Sequence, residues 1–199
     1  MSLISDLYKI KKNDIKKAAN VIVNAFSEDP MWKTVFKEEK IYRALSETMV
    51  KFSMKYGNIF STSDNLEGVM AIMPPDKDMT IWRIIRSGAF FKSMKLIKFR
   101  KEMELTEKKL KEEKKNLNLG PHIYLLIIGV SLDFQGKGFG GILLRAIVEK
   151  AEIERKPIYL ETQTESNVSL YEKYGFHVAK KIILPVLNLP MWLMVRESK

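Results

Sequence analysis

The second half of the chain alternates between the hydrophobic patterns of strands and of helices. HIYLLIIGV, residues 122–130, is apolar on both faces, as is typical of a central strand. Leu144, Ile147 and Ala151 then recur at helical spacing and predict the inner face of a helix. PIYLETQ, residues 157–163, alternates again and predicts a second strand. A crossover helix between two strands predicts that 122–130 and 157–163 are parallel neighbours in one sheet.

Shorter elements follow towards the C-terminus. SNVSLYEKYG predicts a short helix that Ser166 or Asn167 caps and that Gly175 stops. FHVAKKIIL and PMWLMVR predict the last two strands. The second half is therefore expected to contribute four strands and two helices to one α/β sheet.

The first half predicts helices around a strand pair. Asn13 or Asp14 is expected to cap a helix that ends at SEDP, and EKIYRALSETMVKFSMKYG predicts a second helix that stops at Gly57. NIFSTSD and LEGVMAIMPP predict two strands joined by a short turn. One or two helices are expected from about residue 78 to 117. No glycine–proline linker borders them, so they are expected to be an insertion in a single domain that spans 1–199.

Composition limits the kinds of protein that this chain can be. Of its 199 residues, 46% are apolar, which suffices for a buried core and is unlike a disordered chain. The absence of cysteine excludes disulfides, thiolate catalysis and zinc–cysteine sites. The N-terminus has no apolar stretch before its charges, and the longest apolar run is far shorter than the ~20 residues of a membrane span. We expect a cytoplasmic protein with no membrane partner.

The net charge of +10 raises the question of an acidic partner. Much of the excess lies in the lysine-rich segment 91–116, whose interleaved glutamates are typical of a solvated helix face. Four apolar residues of this segment recur at helical spacing and predict the inner face of an amphipathic helix. They are Leu96, Phe99, Met103 and Leu110. We therefore expect no nucleic-acid partner, while a non-catalytic protein that binds a polyanion on this helix stays an alternative.

The segment QGKGFGG, residues 135–141, has four glycines that contribute nothing to packing. Gly136, Gly138 and Gly141 fit the G-x-G-x-x-G fingerprint of a dinucleotide-binding oxidoreductase, and Glu161 lies where the ribose-binding carboxylate would be. Against that interpretation, SLDFQ separates the strand from the first glycine, and too few residues follow Glu161 for a doubly wound sheet. No Lys-Ser or Lys-Thr closes the segment, which disfavours a P-loop. A glycine turn without a ligand is a further alternative.

Gln135-x-x-Gly138-x-Gly140 resembles the Q/R-x-x-G-x-G/A signature of the GNAT superfamily of N-acetyltransferases. The strand before it, the helix after it, YLET and NVSLYEKYGF follow that family's order, so the resemblance covers roughly 122–196. Within the superfamily the chain is similar to the puromycin N-acetyltransferase-like group, through AFSEDPMW, HIYLLIIGV, LET, NVSLYEKYGF and MWLMVR. The resemblance implies an α/β (α+β) fold. Its sheet would be mixed and mostly antiparallel, with a central splayed parallel strand pair, flanking helices and the helical insertion.

The resemblance implies acetyl-CoA as co-substrate and no metal. Amides between Gln135 and Gly141 lead into a helix N-terminus, and such amides can close around a pyrophosphate. The implied coenzyme contacts lie on the strand, in the glycine segment and on the short helix. They are Ile128, Gly129, Val130, Gln135, Gly136, Lys137, Gly138, Phe139, Gly140, Gly141, Asn167 and Tyr171. A non-catalytic acyl-CoA-binding protein stays an alternative.

The resemblance also implies catalytic roles. Tyr171 aligns with the tyrosine that protonates the coenzyme thiolate, although it could simply pack its helix onto the sheet. The amide of Gly129 or Val130 is expected to polarise the thioester carbonyl. For Gly129 an ordinary bulge glycine is the alternative.

The general base is left open by the sequence. Counting back from Gln135 places Tyr124 at the position of the family's glutamate. Glu161, on the neighbouring strand, and His122 rank above Tyr124 as candidate bases. A buried histidine satisfied by a local hydrogen bond is the alternative for His122.

The expected acceptor is the primary amine of a small molecule, attacked directly in a ternary complex. Aromatic residues of the insertion, together with a methionine and a tryptophan of the first helix–helix connection, are expected to roof the acceptor site. They are Trp82, Phe90, Phe91, Met31 and Trp32. Glu28 and Asp29 could bind a cationic acceptor. The sequence leaves a homodimer open.

Overall fold

The computed structural model describes residues 2–35, 38–77, 80–89, 100–185 and 187–198. The helices are α1 (Ile15–Ala25), α2 (Pro30–Val35), α3 (Glu39–Tyr56), α4 (Ile81–Arg86), α5 (Arg100–Asn116), α6 (Phe139–Glu154) and α7 (Glu165–Glu172). The strands are β1 (Tyr8–Lys9), β2 (Asn58–Ser61), β3 (Gly68–Met73), β4 (Ile123–Val130), β5 (Ile158–Thr162), β6 (His177–Ile183) and β7 (Pro190–Arg196). Within the described ranges, no helix combines the length and the apolar character needed to cross a bilayer.

In the described part of the chain, seven strands form one sheet in the order β1-β2-β3-β4-β5-β7-β6. Every neighbouring pair is antiparallel except β4 and β5, which run parallel. The prediction of parallel neighbours at 122–130 and 157–163 is therefore confirmed, and so is the mixed, mostly antiparallel sheet. A dinucleotide-binding oxidoreductase would need a doubly wound parallel sheet, so the fold removes the basis of that alternative.

β4 and β5 separate soon after they meet. Their parallel register joins only Ile123 to Ile158 and Tyr124 to Tyr159. β4 nevertheless continues to Val130, paired on its other side with β3. Beyond Tyr124, the side of β4 that faces β5 therefore has peptide groups with no strand partner in the described ranges. This is the central splayed pair that the family resemblance implies.

A bulge in β4 changes which face its side chains occupy. Two consecutive β3 residues pair with Ile127 and Leu125, so Leu126 has no partner of its own. Leu125 packs in the core under α6, whereas Ile127 packs in the core under α1 and α3. Ile128 then contacts the α6 core again. The extra residue thus reorients the second half of β4 just where β5 leaves it.

Each face of the sheet has its own helices. On one face α6 and α7 pack against the strands, and Leu144, Ile147 and Ala151 are buried as their spacing predicts. On the other face α1 and α3 cover β2, β3 and β4 through a second core. Leu110 of α5 packs against a third core, which β5, β6 and β7 form. The sheet is therefore covered on both sides around the gap between β4 and β5.

A buried carboxylate fastens α5 to the sheet. Glu113, only 5% exposed, forms ion pairs with Lys109 of the same helix at 2.7 Å and with Lys180 of β6 at 2.5 Å. Hydrogen bonds from Lys109 and Lys180 lower the pKa of Glu113 to about 2. The lysine-rich helix is thus docked by Leu110 and by Glu113. The predicted inner-face residues Leu96, Phe99 and the Met103 side chain lie outside the described part.

The cap of α7 differs from the prediction. Thr164 caps this helix, because its hydroxyl accepts a hydrogen bond from the Asn167 N–H at 3.3 Å. Ser166 and Asn167 lie in the first turn, so neither is the cap. Gly175, with a φ of 84°, ends the turn after α7 as predicted.

The helices of the first half end where the sequence predicts. α1 stops before the SEDP segment, and α3 stops at Gly57. Asp14 does precede α1, but its carboxylate does not cap that helix. It accepts hydrogen bonds at 2.9 Å from the Tyr8 hydroxyl and the Lys11 N–H instead, which fixes the entry of the chain into the sheet.

Replacing Glu113 with glutamine is expected to loosen the docking of α5, because a neutral amide cannot form ion pairs with two ammonium groups. The folded-state pKa lies below the ordinary value of 4.5, so the stabilisation is complete above that pH and is lost as the pH falls towards about 2. Glu113→Gln should therefore lower the melting temperature at pH 7. The difference from wild type should shrink as the pH falls towards 2.

Glu112→Gln is the matched control, because it removes a charge from the exposed neighbouring position. It should leave the melting temperature at pH 7 nearly unchanged. Equal melting temperatures of the two variants at pH 7 would contradict the docking role of Glu113.

Candidate active site

The glycine segment leads from the end of β4 into α6. A short 3₁₀ turn over Leu132–Phe134 comes first, and α6 begins at Phe139. Gly136 and Gly138 have φ of 75° and 88°, a left-handed backbone that favours glycine. Local conformation therefore explains two of the four glycines.

The outer side of this turn is open. A Cβ built on Gly136 or Gly138 would meet no atom of the described residues within 4 Å, and both glycines are exposed. Gly141 differs, because a Cβ there would lie 2.8 Å from the Tyr174 Oη and 3.0 Å from the Arg145 Nη1. Close approach of Tyr174 thus explains Gly141, while the surface at Gly136 and Gly138 is accessible to a ligand.

The start of α6 presents hydrogen-bond donors to the same region. The first N–H groups of a helix have no acceptor within the helix. Gly138 precedes them and has no side chain to cap them, and the Ile142 N–H bonds back to the Gly138 carbonyl at 3.1 Å. The helix dipole adds partial positive charge at this end. A diphosphate would find both donors and a favourable field here.

Neighbouring side chains hold the turn in this shape. The Gln135 amide donates to the Val130 carbonyl at 3.1 Å, which ties the turn to the end of β4. Phe134 packs edge-on against Phe139, with ring centroids 5.8 Å apart. The Lys137 ammonium is an exposed cation 5.4 Å from the Phe134 ring centroid. These contacts therefore fix the shape of the turn, and Lys137 gives it a positive charge.

Backbone hydrogen bonds fix the direction of the β4 amides. The Ser131 N–H donates to the Glu67 carbonyl at 2.9 Å, across to the β3 side. Because an antiparallel ladder alternates, Val130 and Ile128 turn their N–H and C=O groups away from β3. They therefore point into the gap before β5, where the Val130 carbonyl meets the Gln135 side chain.

Gly129 has a different role from its neighbours. By the same alternation its amide faces β3. A Cβ on Gly129 would lie 2.7 Å from the Ala25 Cβ and 3.1 Å from the Phe26 Cε2. Gly129 thus allows the end of α1 to pack onto β4, and it is not a bulge glycine, since the bulge lies at Leu126.

A polar cluster, consisting of His122, Tyr124, Tyr159 and Glu161, lies where β4 and β5 part. The Tyr124 hydroxyl donates to the Glu161 Oε2 at 2.6 Å and so links the two strands by side chains just past their last backbone pair. Burial raises the pKa of Glu161, and the hydrogen bond from Tyr124 opposes this. Glu161 is therefore a stronger base than an ordinary carboxylate, held in place by Tyr124.

One atom of the polar cluster, the His122 Nε2, is buried without a hydrogen-bond partner in the described ranges, whereas the Tyr159 hydroxyl interacts with the Glu161 carboxylate. His122 Nδ1 lies 2.8 Å from the Gly120 carbonyl, so Nδ1 bears the proton and Nε2 has the lone pair. Burial lowers the pKa of His122, which keeps the ring neutral, and burial raises the pKa of Tyr159. Nowhere in the described ranges are three His, Asp or Glu side chains grouped as metal ligands.

α5 brings a cation to the polar cluster. The Lys114 ammonium lies 5.0 Å from the centroid of the Tyr124 ring and 5.9 Å from that of Tyr159. Neither Lys114 nor Tyr159 is singled out by the sequence. Lys114 is one of many lysines in its helix, and Tyr159 occupies a strand position that predicts only burial.

Tyr171 lies on the opposite face of the sheet. It is 8% exposed in the core under α6, and its ring centroid is 5.7 Å from that of Phe176. Burial raises the pKa of Tyr171 to about 12, so the phenol is protonated at neutral pH. The Asn167 side chain donates to the Thr162 hydroxyl at 3.1 Å and holds α7 to the end of β5.

The expected aromatic roof is only partly described, and one member is misplaced. Trp32 is buried between Phe26 and Tyr42, with ring centroids 5.3 and 5.5 Å away, so it belongs to the core. Trp82 of α4 is 72% exposed. Phe90, Phe91 and the Met31 side chain lie outside the described part.

The two acidic residues after α1 have local partners. The Asp29 carboxylate accepts a hydrogen bond from the Trp32 N–H at 3.1 Å and so caps α2. Glu28 forms an exposed ion pair with Lys33. Because both carboxylates already have partners close in the sequence, they are disfavoured as the groups that bind the acceptor.

Comparison with known proteins agrees with this geometry. A family model described as an acetyltransferase (GNAT) domain matches residues 108–178. An uncharacterized N-acetyltransferase of Schizosaccharomyces pombe is 28% identical, over 96% of this chain and 83% of its own length. The matched range contains the glycine turn, the polar cluster and Tyr171.

Solved structures share the fold. A Corynebacterium glutamicum protein, described as histone acetyltransferase HPA2 and related acetyltransferase, has a TM-score of 0.66 at 20% identity, with 97% of this chain and 96% of that one covered. A Pyrococcus horikoshii protein has a TM-score of 0.58 at 18% identity, with 97% and 98% covered. The chain therefore shares its fold with these proteins, and its residues 108–178 match the acetyltransferase (GNAT) domain model.

Proposed function

We propose that this acyltransferase carries acetyl from acetyl-CoA to the primary amine of a small molecule, by direct attack in a ternary complex. The observation that carries the proposal is the gap between β4 and β5, which runs from the polar cluster to the open glycine turn. The thioester would enter from the turn and the amine from the cluster. The chain has no cysteine, so no acyl-cysteine intermediate is available.

Coenzyme A is proposed to lie along this gap with its diphosphate on the glycine turn. The first amides of α6 would hold the diphosphate, and Lys137 would add charge. The pantetheine arm would run beside β4 as an added strand, where peptide groups without a strand partner can bond to it. The proposed contacts are Ile128, Gly129, Val130, Gln135, Gly136, Lys137, Gly138, Phe139, Gly140, Gly141, Asn167 and Tyr171.

The thioester carbonyl needs a donor where negative charge develops. The amides of Val130 and Ile128 point into the gap, whereas that of Gly129 faces β3. We therefore assign this role to Val130 or Ile128. Gly129 would contribute by letting α1 close over β4.

Glu161 is proposed as the general base. The acceptor enters as an ammonium ion and transfers one proton to Glu161, and the neutral amine then attacks the carbonyl carbon. The raised pKa of Glu161 suits this task, and Tyr124 holds the carboxylate in position. His122 Nε2 offers a second acceptor in the same cluster, for a proton passed through water.

Tyr171 is proposed to protonate the departing thiolate. The carbon–sulfur bond breaks, sulfur takes the phenolic proton, and the second amine proton returns to the phenolate through solvent. A phenol of pKa about 12 beside a thiol near 8.5 makes this transfer uphill by about 3.5 pKa units. Close positioning of sulfur and phenol must therefore offset part of the cost.

Thiol release from acetyl-CoA tests the proposal directly. Wild-type protein is expected to release thiol with at least one member of an amine panel that includes puromycin, polyamines, aminoglycosides and peptide N-termini. Gly138→Asn should abolish this release and lower coenzyme A affinity at least about 100-fold, because it places a side chain where the diphosphate lies. Asparagine is chosen since it tolerates a left-handed backbone.

Gly88→Asn is the matched control. Gly88 has a φ of 77°, and a Cβ there would meet no atom of the described residues within 4 Å, but it follows α4 and is not part of the glycine turn. It should cost similar stability and leave binding and release unchanged. Normal coenzyme A affinity of Gly138→Asn by calorimetry would refute the diphosphate site, and affinity without any thiol release would favour a non-catalytic binding protein.

Tyr171→Phe is expected to lower kcat about 100-fold with little change in the KM for acetyl-CoA, because it removes only the proton donor. A thermal unfolding scan would confirm that the fold is retained. Turnover of the variant near the wild-type rate would show that Tyr171 only packs α7 against the core.

A further inference from the structure

The polar cluster has the groups that bind a primary ammonium ion, and we call this binding site the seat. An ammonium group has three N–H donors and is attracted to the faces of aromatic rings. The cluster offers the Glu161 carboxylate, the Tyr159 Oη and the His122 Nε2 as acceptors, and the rings of Tyr124 and Tyr159 as faces. These groups come from β4 and β5, at the point where the two strands part.

One ammonium group already lies at this seat, and it belongs to the chain itself. The Lys114 Nζ is within cation–π range of both tyrosine rings, and its charge acts on Glu161. Yet Lys114 forms no hydrogen bond or ion pair with any described residue, and the buried His122 Nε2 stays without a partner among those residues. Lys114 therefore occupies the seat without using its strongest contacts.

No ion pair with a described residue of α5 holds the Lys114 ammonium at the polar cluster. Lys109 reaches Glu113, the buried carboxylate that docks the helix, whereas Lys114 reaches aromatic faces alone. A lysine side chain has four flexible carbons, so its head group can swing away while α5 stays docked. A ligand that satisfies the acceptors could displace it.

We propose that Lys114 occupies the seat of the acceptor amine and acts as an internal competitor that the acceptor must displace. This inference rests on the proposed function, since it takes the cluster to be the acceptor site. It also specifies the acceptor, which is a primary ammonium on an unbranched alkyl stem, the chemistry that the lysine side chain itself presents. Such an occupant lowers the apparent affinity for the acceptor, because only molecules in which the seat is empty can bind it.

Lys114→Met tests the competition, because methionine keeps an unbranched stem and good helix propensity but has no ammonium. Binding of 1,5-diaminopentane to the full chain is measured by calorimetry in the presence of saturating coenzyme A, where no acetyl group is available. A cation–π contact of ordinary strength corresponds to an affinity gain of about five-fold for Lys114→Met. Lys115→Met, at the exposed neighbouring position, should match wild type.

The control separates occupancy from general charge repulsion, since each variant removes one positive charge from adjacent positions. Equal affinities of Lys114→Met and Lys115→Met would overturn the proposal, and so would weaker binding by Lys114→Met. Adding Glu161→Gln to Lys114→Met should lower the affinity at least about ten-fold, because the seat then loses its only carboxylate. Unchanged affinity in this double variant would place the diamine elsewhere and overturn the proposal as well.

The same protein distinguishes this failure from failure of the proposed function. If no amine supports thiol release but Lys114→Met still binds the diamine more tightly than Lys115→Met, the ammonium-binding role of the cluster is supported and the proposed acetyl transfer is refuted. If thiol release occurs and the two lysine variants bind the diamine alike, the proposed acetyl transfer is supported and the role of Lys114 as an internal competitor is refuted.

Discussion

The early separation of β4 from β5 is the constraint on which the site depends. Two parallel pairs hold the strands together, and beyond them β4 has peptide groups that no strand satisfies. Peptide groups within a sheet need partners, so this gap favours a ligand with amides of its own. The bulge at Leu126 and the packing of α1 on Gly129 shape β4 along the same stretch, while α6 starts at its far end. The gap, the turn and the polar cluster thus form one continuous path.

The proposed base and the proposed proton donor lie on opposite faces of the sheet. Glu161 lies on the α5 side, where burial makes it a better base, and Tyr171 lies on the α6 side, where burial keeps it protonated. In the described part of the chain the sheet is otherwise paired and covered, so the gap is the proposed place where a reacting group reaches both residues. Burial therefore sets the direction of each pKa shift, and the splayed strands bring the two environments together.

Local patterns were enough to predict much of the fold and the glycine turn. The apolar run of β4, the helical spacing of Leu144 and Ile147, and the glycines before α6 each signal their structure within a few residues. Features that depend on distant contacts were not predictable. Lys114 reaches the cluster only because α5 docks on the sheet, and Trp32 enters the core through stacking with Tyr42. The cap of α7 was misassigned because Thr164 and its neighbours have equally good capping side chains.

A crystal structure with bound coenzyme A would show whether the coenzyme lies in the gap between β4 and β5. We expect diphosphate oxygens about 3 Å from backbone amides of residues 136–141, and the sulfur between β4 and β5 with Tyr171 beside it. A diphosphate bound elsewhere, or strands β4 and β5 paired along their whole length around an excluded coenzyme, would contradict this expectation.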